Sequence, residues 1–276
     1  MKDQFVIAYL ADLTMADTVM SHALFLSQML NKGLILLYVE DKRHGNIAVD
    51  EATSRILALE KQYASIKPAH VVMKGNTQEV INALPTMLNG VVAVAGINAK
   101  AKHGTPTHYK EVLHLFSECK IAYLTVQKPM DTTHDYDRVA FGVDFRKESK
   151  DKLIWASYFA RFNRSQLAIM HFDYKDDGLR QKWHNNVLFM NKFFKGLAIN
   201  YSDETVHGKA LFPETVICNA AADRQYGLLI SVTTDTRDLD IIEWFAGVQE
   251  HRTIRNDNQL PILFLNPRND IYVLCD

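Results

Sequence analysis

The chain has 276 residues, about two average domains' worth, so the first question is how it divides. Hydrophobic residues make up 47% and charged residues 23%, with 12 Gly and 7 Pro, which excludes collagen-like, mucin-like and disordered classes. Lys and Arg number 31 against 32 Asp and Glu, a net charge of −1 that argues against nucleic acid as the main partner, short of a local basic patch, because phosphate neutralisation needs cations in surplus.

Apolar periodicity marks the elements in chain order. Phe5 to Ala11 is a buried strand ending at Asp12. Val19, Ala23, Leu26 and Leu30 then form one stripe of a helix that Asn31-Lys32-Gly33 terminates. Leu34 to Val39 is apolar throughout, as a strand covered on both faces must be in a parallel sheet between helical layers. Ile56, Leu59 and Tyr63 place a helix over 51–65, His70 to Met73 is a strand, and Val80, Ile81 and Leu84 place a helix over 76–88. Val91 to Ala95, a helix marked by Tyr109, Val112, Leu113 and Phe116, and a strand over Ile121 to Val126 complete a strand-helix alternation of five strands.

Gln127 to Asp137 has no apolar period and reads as a connection, which sets the division at 1–128, a linker over 129–137, and 138–276. The pattern then repeats. Val139 to Asp144 matches the first strand with its terminal acid, Asp144 standing 132 residues after Asp12. Leu167 to Phe172 matches Leu34 to Val39 at 133, Gly227 to Ile230 matches Gly90 to Ala93 at 137, and Ile262 to Leu265 matches Ile121 to Leu124 at 141. Helical stripes lie between them: Leu179, Trp183, Val187, Met190 and Phe194; Val216, Ile217 and Ala220 behind Pro213; and Ile241, Ile242, Phe245 and Val248. An internal duplication of an α/β unit follows from this order. Ile271 to Cys275 is apolar enough for a short edge strand.

Strand-acid, helix, a second all-apolar strand, and a tail closing on a last apolar strand make each half resemble the universal stress protein family, and the whole chain a tandem member. The openings Val-Ile-Ala-Tyr-Leu-Ala-Asp12 and Val-Ala-Phe-Gly-Val-Asp144 carry the likeness. The resemblance implies two open five-stranded parallel sheets of the adenine nucleotide alpha hydrolase-like type, paired through their last strands as an intramolecular pseudo-dimer. Pairing would satisfy an otherwise exposed strand edge. It implies a role in stress adaptation.

In nucleotide-binding members the first-strand acid meets adenine, and a loop after strand four, patterned Gly, two residues, Gly, nine residues, Gly-Ser or Gly-Thr, wraps the phosphates. That resemblance marks Asp12, Val39, Gly96, Gly104 and Thr105 as candidates for an ATP or AMP site in the first half, with Lys100, Lys102 and His103 as nearby charge. Only Gly96 keeps its place in the pattern: Ala99 stands at the second glycine and Tyr109-Lys110 near the Gly-Ser position. The second half offers Ser231 to Asp238, without glycine and with two acids. A left-handed non-glycine costs about 1–2 kcal/mol and a lost bond to a charged oxygen about 1.5–3 kcal/mol, enough to move micromolar affinity towards millimolar. The alternative role for Asp12 and Asp144 is to cap a helix N-terminus.

GxSxG, GxxxxGK[ST] and GxGxxG signatures do not occur, and His103, His108 and His114 form no HxH or HExxH pair. The apolar runs are too short to span a bilayer, no cleavable leader is expected around Asp3 to Asp12, and scattered Cys119, Cys218 and Cys275 fit a reducing cytoplasm. The expectation is a cytoplasmic stress-response protein that binds or signals through a protein partner without catalysis, required cofactor, nucleic acid or membrane; further homodimerisation stays open. The alternative is an ATP or AMP sensor using the first half. Trp155, Phe159, Trp183, Phe189, Phe193 and Phe194 read as helix packing; any that are exposed would mark a partner surface.

Overall fold

The structure, a computed structural model, describes residues 3–44, 47–130, 136–146, 150–172, 174–207, 213–233 and 250–267. The expected helix around Ile241 to Val248 and the segment Ile271 to Cys275 lie outside them. The chain divides into two compact units, Met1–Asp131 and Thr132–Asp276.

Unit 1 alternates β1 (Phe5–Tyr9), α1 (Ala16–Leu30), β2 (Gly33–Glu40), α2 (Val49–Gln62), β3 (Ala69–Lys74), α3 (Thr77–Met87), β4 (Gly90–Gly96), α4 (Tyr109–Phe116) and β5 (Ala122–Val126). Its strands run parallel in the order β3-β2-β1-β4-β5. The continuous apolar run of β2 is explained by its place: Leu34 to Val39 are all buried between flanking strands and helical layers. α1 ends because Asn31 takes a left-handed conformation, φ 52°, and its N–H turns back to the Ser27 and Gln28 carbonyls. Gly33 follows because a Cβ there would stand 2.6 Å from the Phe5 ring. β3, at the sheet edge, has exposed or half-buried residues throughout.

Unit 2 alternates β6 (Arg138–Gly142), α5 (Lys152–Tyr158), which runs on into a π-helical turn over Phe159–Asn163, β7 (Gln166–Phe172), α6 (Asp177–Gly196), β8 (Tyr201–Val206), α7 (Pro213–Asp223), β9 (Leu228–Val232) and β10 (Ile262–Leu265). Its order is β10-β9-β6-β7-β8, again parallel. β8 has no apolar signature: Tyr-Ser-Asp-Glu-Thr-Val lies at an edge and buries only Val206. Each unit is thus an open five-stranded parallel sheet with the same strand order.

Pairing registers give the repeat its true offset. The Gly33 amide donates to the Gln4 carbonyl and the Leu10 amide to the Leu37 carbonyl in unit 1, and the Gln166 amide to the Asp137 carbonyl and the Val143 amide to the Met170 carbonyl in unit 2, so each ladder bond recurs 133 residues on; a shift of 132 would turn the donors to the other neighbour. The pairing spacings of the first three strands are the same in both units and carry this offset through them. It rises to 136 at β4 and β9, where Val92 and Leu228 face Val6 and Val139, and to 139 at β5 and β10, where Tyr123 and Ile262 face Ala93 and Leu229. This corrects the expected equivalence of Asp12 and Asp144: Asp144 stands where unit 1 has Ala11. All-apolar strands match one another at several shifts, and only the hydrogen-bond ladder selects one.

Candidate functional site

In an open parallel sheet the ligand crevice lies beyond the carboxyl ends of the strands, where strand order reverses. That point falls between β1 and β4 in unit 1 and between β6 and β9 in unit 2.

In unit 1, half-buried Asp12 caps a short 3-10 turn over Leu13–Met15, its Oδ1 accepting from the Thr14 amide at 2.9 Å and the Thr14 hydroxyl at 2.8 Å. Val39 is buried within β2. Gly96 ends β4, and a Cβ on it would meet Met15 Sδ and Cε and Val19 Cγ2, each at 3.2 Å. Its missing side chain therefore admits α1 and the turn before it. Gly104 takes φ +88°, and Thr105 closes the same turn through its amide and hydroxyl, both donating to the Lys102 carbonyl.

The loop from β4 to α4 directs its amides inward. Those of Ile97, Asn98, Ala101, Thr105 and His108 donate to backbone carbonyls, and that of Lys100 to Asn98 Oδ1. The Gly104 amide donates to Glu111 Oε1 at 3.2 Å, so the protein's own carboxylate takes a donor that a phosphate loop would present to ligand. His108 caps α4, its Nδ1 receiving the Lys110 amide. Gly104 and Glu111 line a cleft of about 260 Å³ with Arg43, Gln78, His114 and Leu115; Asp12, Val39, Gly96 and Thr105 do not line it.

Beside this cleft lies a cluster that motif reading missed. Buried Asp41, just after β2, accepts Arg43 Nη2 at 2.6 Å and the Thr77 amide at the start of α3 at 3.0 Å. Arg43 Nη2 also donates to Asn76 Oδ1 at 2.6 Å. The Arg43 side chain holds the Asp41 carboxyl far below the usual carboxylate range, against the opposing effect of burial. Nearby, the buried Tyr9 phenol lies against Thr77, and burial raises it well above its ordinary value.

Unit 2 fills the corresponding region with charge. Lys152 is fully buried, and its Nζ donates to the Gly142 carbonyl at 2.8 Å and Glu214 Oε1 at 3.1 Å. Arg146 joins Asp144 at 2.6 Å to the same Glu214 oxygen at 3.1 Å, and Ser231 of β9 donates to Glu214 Oε2 at 3.0 Å. Asn186 of α6 donates to the Asp144 and Arg146 carbonyls. Asp144 is thus drawn into an ionic network of two acids and two bases. The readable signal was Asp-x-Arg, present at Asp41-Lys42-Arg43 and Asp144-Phe145-Arg146: in both, the arginine's amide and its Nε bind the acid two residues back. Lys152 and Glu214 had no signal, because 62 residues separate them.

No family model and no curated protein matches the sequence. Solved structures match over nearly its whole length. A universal stress protein from Archaeoglobus fulgidus DSM 4304 is 13% identical, with 96% of this chain and 97% of that one covered at a TM-score of 0.69. A functionally unknown protein from Pseudomonas aeruginosa PAO1 is 11% identical over 96% and 93%, at 0.65. The cytoplasmic domain of a prokaryotic cation chloride cotransporter is 11% identical over 99% and 100%, at 0.58. At these identities the likeness is one of fold, and this chain has the universal-stress-like fold, its α/β unit present twice.

Proposed function

We propose that the chain acts in stress adaptation by binding or signalling, with no catalysis and no nucleotide required at its strand ends. One observation carries the reading: both regions where this fold would receive a phosphorylated ligand are occupied by the protein's own charges. In unit 1 Glu111 holds the Gly104 amide, so an incoming phosphate must displace a carboxylate and then lie beside it. In unit 2 Lys152, Glu214, Arg146 and Asp144 satisfy one another in a buried network. A protein partner in the cytoplasm is the corresponding setting.

The second reading is an ATP or AMP sensor confined to unit 1, built on Asp12, Val39, Gly96, Gly104 and Thr105. The adjoining cleft with Arg43 favours it, because a guanidinium suits a phosphate. Denaturing the purified chain and chromatographing the supernatant for ATP and AMP, then titrating ATP in a thermal-shift assay, separates the two. Released nucleotide, or a melting rise of several degrees that Asp12→Ala abolishes, overturns the nucleotide-independent reading; no shift at millimolar ATP retires the sensor.

A further inference from the structure

We propose that the outer surface of the α5–α6 layer in unit 2 docks on an anionic phospholipid bilayer. The large apolar side chains exposed among the described residues are Leu57, Met87, Ile154, Phe162, Leu188, Phe189 and Leu197, and all but the first two belong to the stretch from α5 to Leu197, the residue that follows α6. β6, β7 and β8 are sequential neighbours in the sheet, so their right-handed crossovers place α5 and α6 on one face, where the helices touch. α6 buries Asn186, Met190 and Phe194 towards the core. Leu188, Lys192 and Lys195, spaced four and three apart, therefore share its outward side.

Beyond the first turn of α6 the charge has one sign. From Leu179 to Leu197 the chain carries Arg180, Lys182, Lys192 and Lys195 and no acid, although the whole protein is near neutral. Arg180 pairs with Asp177. Lys182, Lys192, Lys195 and, after α5, Arg161 and Arg164 have no ion-pair partner among the described residues. Cations also lie against the exposed rings: Lys150 Nζ is 4.8 Å from the Phe189 ring centre and Arg161 is 5.5 Å from that of Phe162.

The pattern selects a bilayer over a protein. Protein interfaces gather their apolar residues into a core and are depleted in lysine, whereas Leu188 and Phe189 stand beside lysines on one helix. A second copy bound through the same face by twofold symmetry would set lysine against lysine. At a membrane surface lysine stems lie along the interface with their ammonium groups at the phosphates, and single Leu and Phe side chains reach the headgroup–acyl boundary. The expectation of no membrane partner came from the shortness of the apolar runs, which concerns spanning. No described helix is long and apolar enough to cross a membrane, but surface contact needs none. This inference does not depend on what the strand ends bind.

The test is sedimentation of the full chain with vesicles of phosphatidylcholine alone or of equal parts phosphatidylcholine and phosphatidylglycerol, at low and high salt. Binding only to the anionic vesicles, weakened by salt, is expected. Lys192→Gln and Lys195→Gln should each reduce it about five-fold. Leu188→Ser with Phe189→Ser should reduce it further while the chain still unfolds cooperatively within a few degrees of the parent melting temperature, since both side chains are largely at the surface. No sedimentation with anionic vesicles at low salt, equal sedimentation with neutral ones, or binding that survives all four substitutions overturns the proposal; the first result would direct the search to an acidic protein.

Discussion

Replacing Lys152 by methionine tests the buried network of unit 2 directly. Methionine keeps an unbranched apolar stem and removes the ammonium, so Glu214 loses one of its two cations while retaining Arg146 at 3.1 Å and the Ser231 hydroxyl at 3.0 Å. Breaking a buried pair from one side costs about 3–5 kcal/mol. Because Arg146 still compensates, the loss should lie at the lower end, about 3 kcal/mol, including the donor lost by the Gly142 carbonyl. Adding Glu214→Gln removes the carboxylate left with a single cation and should recover about 2 kcal/mol of it, since the amide still accepts from Ser231. All three tryptophans, Trp155, Trp183 and Trp244, lie in unit 2, so fluorescence during urea unfolding at neutral pH reports that unit. A loss below about 1 kcal/mol for Lys152→Met, or a double variant as unstable as the sum of its parts, would refute the reasoning.

Three further outcomes follow from the geometry. His22 is buried in α1 with its Nε2 at 3.0 Å from the Lys128 carbonyl, and burial pulls its imidazole down to about 4. The unfolded ring protonates first, near pH 6.5, so its contribution is complete above that pH and fades as pH falls through about 4; His22→Gln should flatten roughly 3 kcal/mol of pH dependence in denaturant titrations across that window. The depressed Asp41 carboxyl contributes stability that is present above its unfolded value, roughly pH 4, and lost on further acidification. Asp41→Asn should thus cost about 2 kcal/mol at neutral pH, with the difference from the parent chain narrowing steadily as pH falls below about 4, read by urea midpoints. Finally, a Cβ on Gly142 would stand 2.6 Å from Ile217 Cδ1, so Gly142→Ala should destabilise unit 2 by about 1–3 kcal/mol, and Ile217→Val, which removes that atom, should restore most of the loss in thermal unfolding.

Element type was legible wherever burial was one-sided or complete. β2 and β7 announce themselves as apolar runs, and Met190 and Phe194 mark the inner face of α6. β8 was not legible, because an edge strand of Tyr-Ser-Asp-Glu-Thr-Val has too little buried surface to shape its sequence. Of the expected site residues only Gly104 lines the cleft beside Arg43; Asp12, Val39, Gly96 and Thr105 do not. Asp12, which follows β1, caps a turn, and the Gly104 amide in the loop after β4 is held by Glu111.

From the amino-acid sequence alone came the strand-helix alternation, its duplication, and the all-apolar strands that require cover on both faces. These rest on local periodicity, which neighbouring residues express together. Register was decided only by tertiary structure: Asp144 aligns with Ala11 because inter-strand hydrogen bonds, not hydrophobicity, choose among equally apolar shifts. Charge pairing was decided there too. Lys152 and Glu214 are 62 residues apart, and only the folded crevice, by excluding water, binds them to each other.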